Sequence, residues 1–455
     1  MFEVPLAVGV IAVVAAVLWL VNLVMWLQSS KLRPPTLLSF SIWTAALSGC
    51  ALTIMRRAEL GSISTTLLMV GTVLLIFIFA SAAFAGGPKD APNKGLVTIA
   101  VLITAVEVGY LALHRAGLTE NAPEVLALAF LPGIVIQIRN SGASKQYLLR
   151  LAARVTTFVV WISVALSFVA PALAYSHGLS DLRRLNLAGL TLRLSGLTPH
   201  PNFLSVTALI CIVLMIALKT KFWWATVIVS LAAIIMAESR NAMLTLLVVA
   251  AVAWVFNGKT IVGRTVLAAP ICFAGILLSG GLEDSSLTSD IAANGRFRIW
   301  DVVLAGFDGN PFAGWGPLAF QPESKSPMLA AGLQHAHNQV LQGIAEGGVL
   351  GGILIIALLI ALIRIGIKHH NEVLYPSIVT ICLMSVFTEP FLTLHLYGLN
   401  YAVLPAFLIF VILMSADAHS DPLEVEVVTE KRRRDLPDYL VNPSAQTKQA
   451  LGLAR

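Results

Sequence analysis

The chain has 455 residues, 57% of them hydrophobic and only 12% charged, with a mean hydropathy of +0.85. A soluble globular domain carries about a quarter charged residues, so this composition excludes a water-soluble enzyme and indicates a polytopic membrane protein. The net charge of +6 is not gathered into a basic face interleaved with aromatics, which argues against nucleic acid as a partner.

Crossing a bilayer as a helix takes about 20 apolar residues. Runs near that length stand at 6–27, 36–54, 62–85, 96–114, 122–138 and 151–175, then at 201–218, 222–237, 242–256, 264–280, 346–363, 374–392 and 398–414. They are too long and continuous for alternating barrel strands, and spanning helices satisfy their own backbone groups. The expected fold is all-α, a bundle of about 12 to 14 transmembrane helices. The first run lacks a basic leader and a small-residue cleavage site, so it reads as a retained helix. Cys50, Cys211, Cys272 and Cys382 fall within apolar runs and read as buried small hydrophobes, without metal or disulfide spacing.

Residues 415–455 are polar and carry the basic run Lys431, Arg432, Arg433 and Arg434, which the positive-inside rule places in the cytoplasm as a loosely ordered tail to the membrane domain 1–414. Counting 13 spans back from it puts Lys145, Lys219, Lys221, Arg364 and Lys368 among the inward charges. Arg56, Arg57, the segment 176–200, the turn Glu238–Asn241 and the long loop 281–345 then face outward. Amphipathic short helices are expected inside that loop.

Four outward clusters hold the candidate chemistry. In Arg193 to Asn202, Pro201 and Asn202 read as helix-start residues at the membrane interface, which leaves Arg193 and His200 unexplained. Arg240, in the tight turn Glu238–Asn241, has two readings: a guanidinium snorkelling out of hydrocarbon, or a bidentate grip on phosphate. The stretch from Gly295 to Trp300 contains Arg296 and Arg298. With Phe297, Ile299, Trp300, Val303, Leu304 and Phe307 at helical spacing, it reads as an amphipathic helix closed by the Gly/Pro turn 310–317. Finally, a helix starting near His335 would share one face among Asn338, Leu341 and Gln342, and would send His335 and His337 to different sides, a poor metal chelate. A neutral imidazole, with an ordinary pKa near about 6.5, suits removal of a proton from a hydroxyl.

At these residues the chain resembles the O-antigen ligase and polymerase superfamily. The matching pieces are His200 to Asn202, Ser239 to Asn241, Gly295 and Arg296 with Ile299 and Trp300, Pro311 with Gly314 to Gly316, and His337 and Asn338 with Leu341, Glu346, Gly348 and Gly351. They cover roughly residues 190–352. The resemblance implies a membrane-embedded glycosyltransferase of bacterial cell-surface polysaccharide biosynthesis. Its donor would be a glycan linked to undecaprenyl diphosphate, and it would act on a hydroxyl acceptor at the outer face of the cytoplasmic membrane. It carries over His337 as the base and Arg240, Arg296 and more weakly Arg193 as diphosphate binders, with His200, Asn202, Arg298, Trp300, His335, Asn338 and Glu346 in support. No cofactor and no metal are implied, and no Walker A or Rossmann fingerprint is present. The competing expectation is a transporter or flippase of lipid-linked saccharides, for which Glu107 would be the mid-span charge.

Overall fold

The computed structural model describes scattered positions between 38 and 57, residue 138, and then residues 143–176, 192–256, 296–316, 319–320, 326–333, 335–388 and 403–416. Glu107, the runs 6–27, 62–85, 96–114, 122–138 (except residue 138) and 264–280, most of the run 36–54, the loop up to residue 295 and the basic tail lie outside the described residues.

The helices are α1 (Lys145–Val169), α2 (Pro171–Ala174), α3 (Pro201–Leu218), α4 (Trp223–Met236), α5 (Arg240–Phe256), α6 (Arg296–Gly309), α7 (Pro327–Ala330), α8 (Gln339–Lys368), α9 (Leu374–Val386) and α10 (Val403–Ser415). Among the described residues the strands are limited to a two-residue antiparallel ladder, β1 (Tyr175–Ser176) with β2 (Arg193–Leu194), which pairs Tyr175 with Leu194. The described chain is thus mostly helical. Three of its helices, α1, α3 and α8, are long and apolar enough to cross a membrane, and α4, α5 and α9 are shorter apolar helices.

Local chemistry accounts for the boundaries. The Ser144 hydroxyl caps α1 by accepting from the Tyr147 N–H at 3.3 Å, and α1 stops before Pro171. Pro201 opens α3 at the position where its missing N–H costs nothing, and Lys219 closes it in the left-handed conformation. Helix α3 is apolar all round, and every residue from Phe203 to Met215 is buried. That pattern belongs to a central helix. Helices α1, α4, α9 and α10 pack around it. Buried positions Leu38, Ile42, Ala46, Cys50 and Ile54 add a stripe at four-residue spacing from a further helical stretch to the same core.

The bundle has two distinguishable ends. At one, Lys145 at the start of α1 pairs with Glu372 just before α9, and the Tyr375 hydroxyl of α9 meets Ser415 at the close of α10. At the other, the turn after α1 receives the 193–198 segment: Ser195 and Gly196 donate N–H groups to Ala174 O at 3.0 and 2.8 Å, and Leu197 N donates to the Ser163 hydroxyl at 2.9 Å. The start of α3, the end of α4, the start of α5 and the end of α9 meet there as well.

Helix α8 is broken at Gly348, whose φ of 60° and ψ of −149° are not helical. Its short arm, Gln339 to Gly347, folds back on the long arm. Gly343 and Gly351 touch, and a Cβ at Gly343 would lie 2.8 Å from the Ile355 side chain. On a straight helix residues 343 and 355 would stand roughly 18 Å apart. The long arm buries Ile355, Leu358, Leu359, Leu362 and Ile365 and exposes Ile353, Ile356, Ile360 and Ile367, so its outer face is suited to lipid.

Candidate functional site

The first half of the candidate site is built where α3, α4 and α5 end. Arg193, in β2, donates from Nε to Ala237 O at 2.8 Å and from Nη2 to Asn202 Oδ1 at 3.0 Å. The Ser239 hydroxyl donates to the same Asn202 oxygen at 3.2 Å and caps α5 by accepting from Ala242 N at 3.4 Å. Asn241, in the first turn of α5, donates from Nδ2 to the Thr388 hydroxyl at 2.7 Å and so ties α5 to the end of α9. Arg240, half-buried, starts α5 inside this knot.

The roles expected at the start of α3 are exchanged. His200 is the residue that caps the helix, its Nδ1 accepting from Asn202 N at 3.2 Å. Asn202 holds Arg193 and Ser239 instead. The preceding turn is clamped by Arg57, whose guanidinium donates to Leu173 O and Gly196 O at 2.6 Å each and to Thr198 O at 2.5 Å. Burial lowers its pKa to about 10, so it is still a cation at neutral pH. Nothing in the local sequence marks this role, because the carbonyls it holds are more than a hundred residues away.

Glu238 is left-handed (φ 47°) and buried, and neither of its carboxylate oxygens has a partner in the described structure. These oxygens sit one residue before the cap of α5, where the positive end of the helix favours an anion.

The second half is the hairpin that leads into α8. The helix begins at Gln339, later than expected, because the Asn338 side chain caps it by accepting from Val340 N at 2.9 Å and Leu341 N at 3.2 Å. His335 and His337 are therefore not on a helix, and the expectation that they point to different sides fails. Their rings lie 3.9 Å apart, with His335 Nε2 and His337 Nδ1 3.1 Å from each other.

The residue between them is fixed from both sides. Trp300 Nε1 donates to Ala336 O at 3.1 Å, and Ala336 N donates to Gln342 Oε1 at 2.8 Å. The other end of the Gln342 amide donates to buried Glu346. Glu346 thus acts through Gln342 on the loop that carries His337. Among the described residues no three His, Cys, Asp or Glu side chains cluster as a metal site.

Helix α6 forms from Arg296, but it packs on α8 as well as presenting a surface. Val303 is fully buried with Met328, Ala336 and Ala345, whereas Leu304 and Arg298 are exposed. The side chains of Arg296 and Phe297 lie outside the described residues. The Gly/Pro turn after α6 has a use the sequence did not reveal. Breaking α8 orphans carbonyls at the end of one arm and N–H groups at the start of the next, and this turn meets them: Trp315 N donates to Ala345 O at 2.7 Å, Gly316 N to Glu346 O at 2.8 Å, and Val349 N to Pro311 O at 2.8 Å. Gly314 (φ 66°) approaches so closely that a Cβ there would lie 2.5 Å from Gly348 N.

Both halves stand at the same end of the bundle. Thr388, bonded to Asn241, lies at the end of α9, and α9 runs back along the long arm of α8 from the Glu372 end. The break in α8, with the His337 hairpin attached, is at the opposite end of that arm from Glu372.

This is the stretch that a comparison with known families recognises. Residues 202–356 match the family model described as O-antigen ligase. The chain carries an O-antigen ligase domain. The matched segment runs from Asn202 through α5, α6 and the hairpin into the long arm of α8, so it takes in Arg240, Arg296, Trp300, His337, Asn338 and Glu346. Arg193 and His200 fall just before it. No curated protein matches the chain. An O-antigen ligase domain on apolar helices belongs to a membrane protein of cell-surface polysaccharide biosynthesis.

Proposed function

We propose that this protein transfers or polymerises a glycan from undecaprenyl diphosphate onto a hydroxyl acceptor at the outer face of the bacterial cytoplasmic membrane. The catalytic unit is the bundle 1–414, with about 12 to 14 spans and a cytoplasmic tail 415–455. The observation that carries the reading is the pinned hairpin of His337, at the bundle end where the turn of Arg240 and the Arg193–Asn202 pair also lie.

His337 takes the acceptor hydroxyl proton on Nε2 as the oxygen attacks the anomeric carbon. The bond from that carbon to the diphosphate breaks, and its electron pair leaves on the diphosphate oxygen. Arg240 and Arg296 hold the departing diphosphate, with Arg193 bracing the turn of Arg240. A diphosphate neutralised by guanidinium groups is already a good leaving group, so the step needs no metal or nucleotide. Preorganised contacts of this kind can contribute about 2.7 to 4 kcal/mol each, and positioned base catalysis about 10² to 10⁴ in rate.

The test uses a deletion strain complemented with variants. His337→Ala and Arg240→Lys should both accumulate lipid-linked donor and lose transfer while the protein remains in the membrane, because a lysine point charge does not reproduce the guanidinium fork. Full transfer by His337→Ala would sink the base assignment. In the deletion strain, single repeat units on the lipid carrier would indicate a polymerase, and long lipid-linked chains a ligase.

A further inference from the structure

The contact between His335 Nε2 and His337 Nδ1, at 3.1 Å, has only one hydrogen to share when both rings are neutral. If His335 donates it, the His337 Nδ1 lone pair is consumed and the remaining hydrogen of His337 sits on Nε2. That tautomer cannot take a proton there. If His337 donates, its Nε2 carries the lone pair and is a base. The orientation of this one hydrogen therefore decides whether His337 can perform the step proposed above.

The arrangement is preset by the backbone. His337 is left-handed (φ 49°), a conformation uncommon for residues other than glycine. Ala336, fully buried, is held at its carbonyl by Trp300 and at its N–H by Gln342, so the backbone between the two rings is fixed. The buried Glu346 fixes the Gln342 amide in turn. A ring pair held this way resembles in logic a base and its orienting partner, in which the partner selects the tautomer and stabilises the cation that forms.

We infer that His335 is the positioning residue of the reaction: its Nε2 accepts the His337 Nδ1–H, leaving the lone pair on His337 Nε2 to receive the acceptor hydroxyl proton. After transfer His337 is an imidazolium with hydrogens on both nitrogens. Its Nδ1–H still donates to neutral His335, now as a stronger, charge-assisted bond. The proton leaves from Nε2 when the site resets, and His335 neither gains nor loses one. This inference rests on His337 being the base.

The test compares three substitutions at His335 in membrane vesicles supplied with lipid-linked donor, with His337→Ala as the floor. His335→Gln places an acceptor oxygen near the position of Nε2 and should keep kcat within about threefold of the parent, as a rescue by the conservative variant. His335→Leu should lower kcat about ten- to a hundredfold, part of what base catalysis contributes, with KM unchanged. His335→Arg, which can only donate, should force the unproductive tautomer and fall to the floor. Leu at the parental rate, Arg as active as Gln, or a change confined to KM would each overturn the inference. Should the Leu variant not accumulate, the Gln and Arg pair, both polar and long, decides it. The two readings fail separately: an active His337→Ala removes the base itself, whereas an inactive His337→Ala beside a parental His335→Leu removes only the positioning role.

Discussion

Arg57 illustrates what residue types and spacing leave out. The sequence marks it as an outward charge. The structure spends its guanidinium on three carbonyls of the turn that positions Arg193 and His200. Hydrogen bonds from charged groups contribute about 1.5–3 kcal/mol each, and those carbonyls are left under-satisfied when the donor goes. Arg57→Ala is expected to cost about 3 kcal/mol or more and Arg57→Lys less, which thermal unfolding in detergent would measure; equal melting of all three proteins would show the clamp to be dispensable. The same limit explains the exchange at α3. That a polar residue beside Pro201 caps a helix was legible, because capping is a local rule. That His200 does it, freeing Asn202 to receive Arg193 and Ser239, depends on partners 9 and 37 residues away. His337 and Arg240 stood out as candidates because each is a polar group in a chain that has few. Their surroundings were not legible.

Element boundaries were readable where apolar length sets them. The run 201–218 is α3 as it stands, and 222–237 and 242–256 fall within a residue or two of α4 and α5. The run 346–363 misses the short arm of α8. Gln339, Gln342 and Glu346 are polar yet buried, with Gln342 bonded to the hairpin at Ala336 and Glu346 bonded to Gln342. A hydropathy run cannot detect a helix stabilised by that docking. The break itself depends on Gly348, where a Cβ would come within 2.5 Å of the Phe312 carbonyl and 2.6 Å of Pro311 O. Gly332 offers a control, since it is also left-handed (φ 71°) but has nothing within 4 Å of an added Cβ. Gly332→Ala should carry only the backbone cost, about 1 to 2 kcal/mol, and leave transfer intact. Gly348→Ala adds a clash with backbone that cannot give way, and should unseat the turn 311–316 from α8 and abolish transfer even in protein that still inserts. Comparable activity in the two variants would mean that the break does not position the hairpin.

At the scale of the whole bundle, the described basic side chains lie unequally at its two ends. Lys145, Arg150, Lys219, Lys221, Arg364 and Lys368, with Glu372, gather at the end away from the O-antigen ligase hairpin, whereas Arg57, Arg193 and Arg240 at the end near it stand beside Glu238 and Glu346, so the basic excess lies at the lysine-bearing end. The flank between them exposes Trp161, Ile228, Trp254, Ile356 and Ile360, a surface that water would penalise and lipid would not. The Lys145–Glu372 pair is partly exposed and contributes at most about 1 kcal/mol; the lysines there matter for orientation more than stability. Positive residues are retained on the cytoplasmic side during insertion, which would set the lysine-bearing end inside and the hairpin outside, where a lipid-linked glycan already flipped across the membrane could reach His337. Single cysteines decide this. Cys50, Cys211 and Cys382 are buried, so they add little background, and Cys272, outside the described residues, is replaced by serine in the parent of both variants. Asp308 on α6 and Asn371 before α9 are both exposed. In spheroplasts, a membrane-impermeant maleimide should label Asp308→Cys at once and Asn371→Cys only after permeabilisation. The reverse order would put the hairpin in the cytoplasm, where the proposed donor would have to be used before it is flipped, and the transfer reaction would need a different substrate.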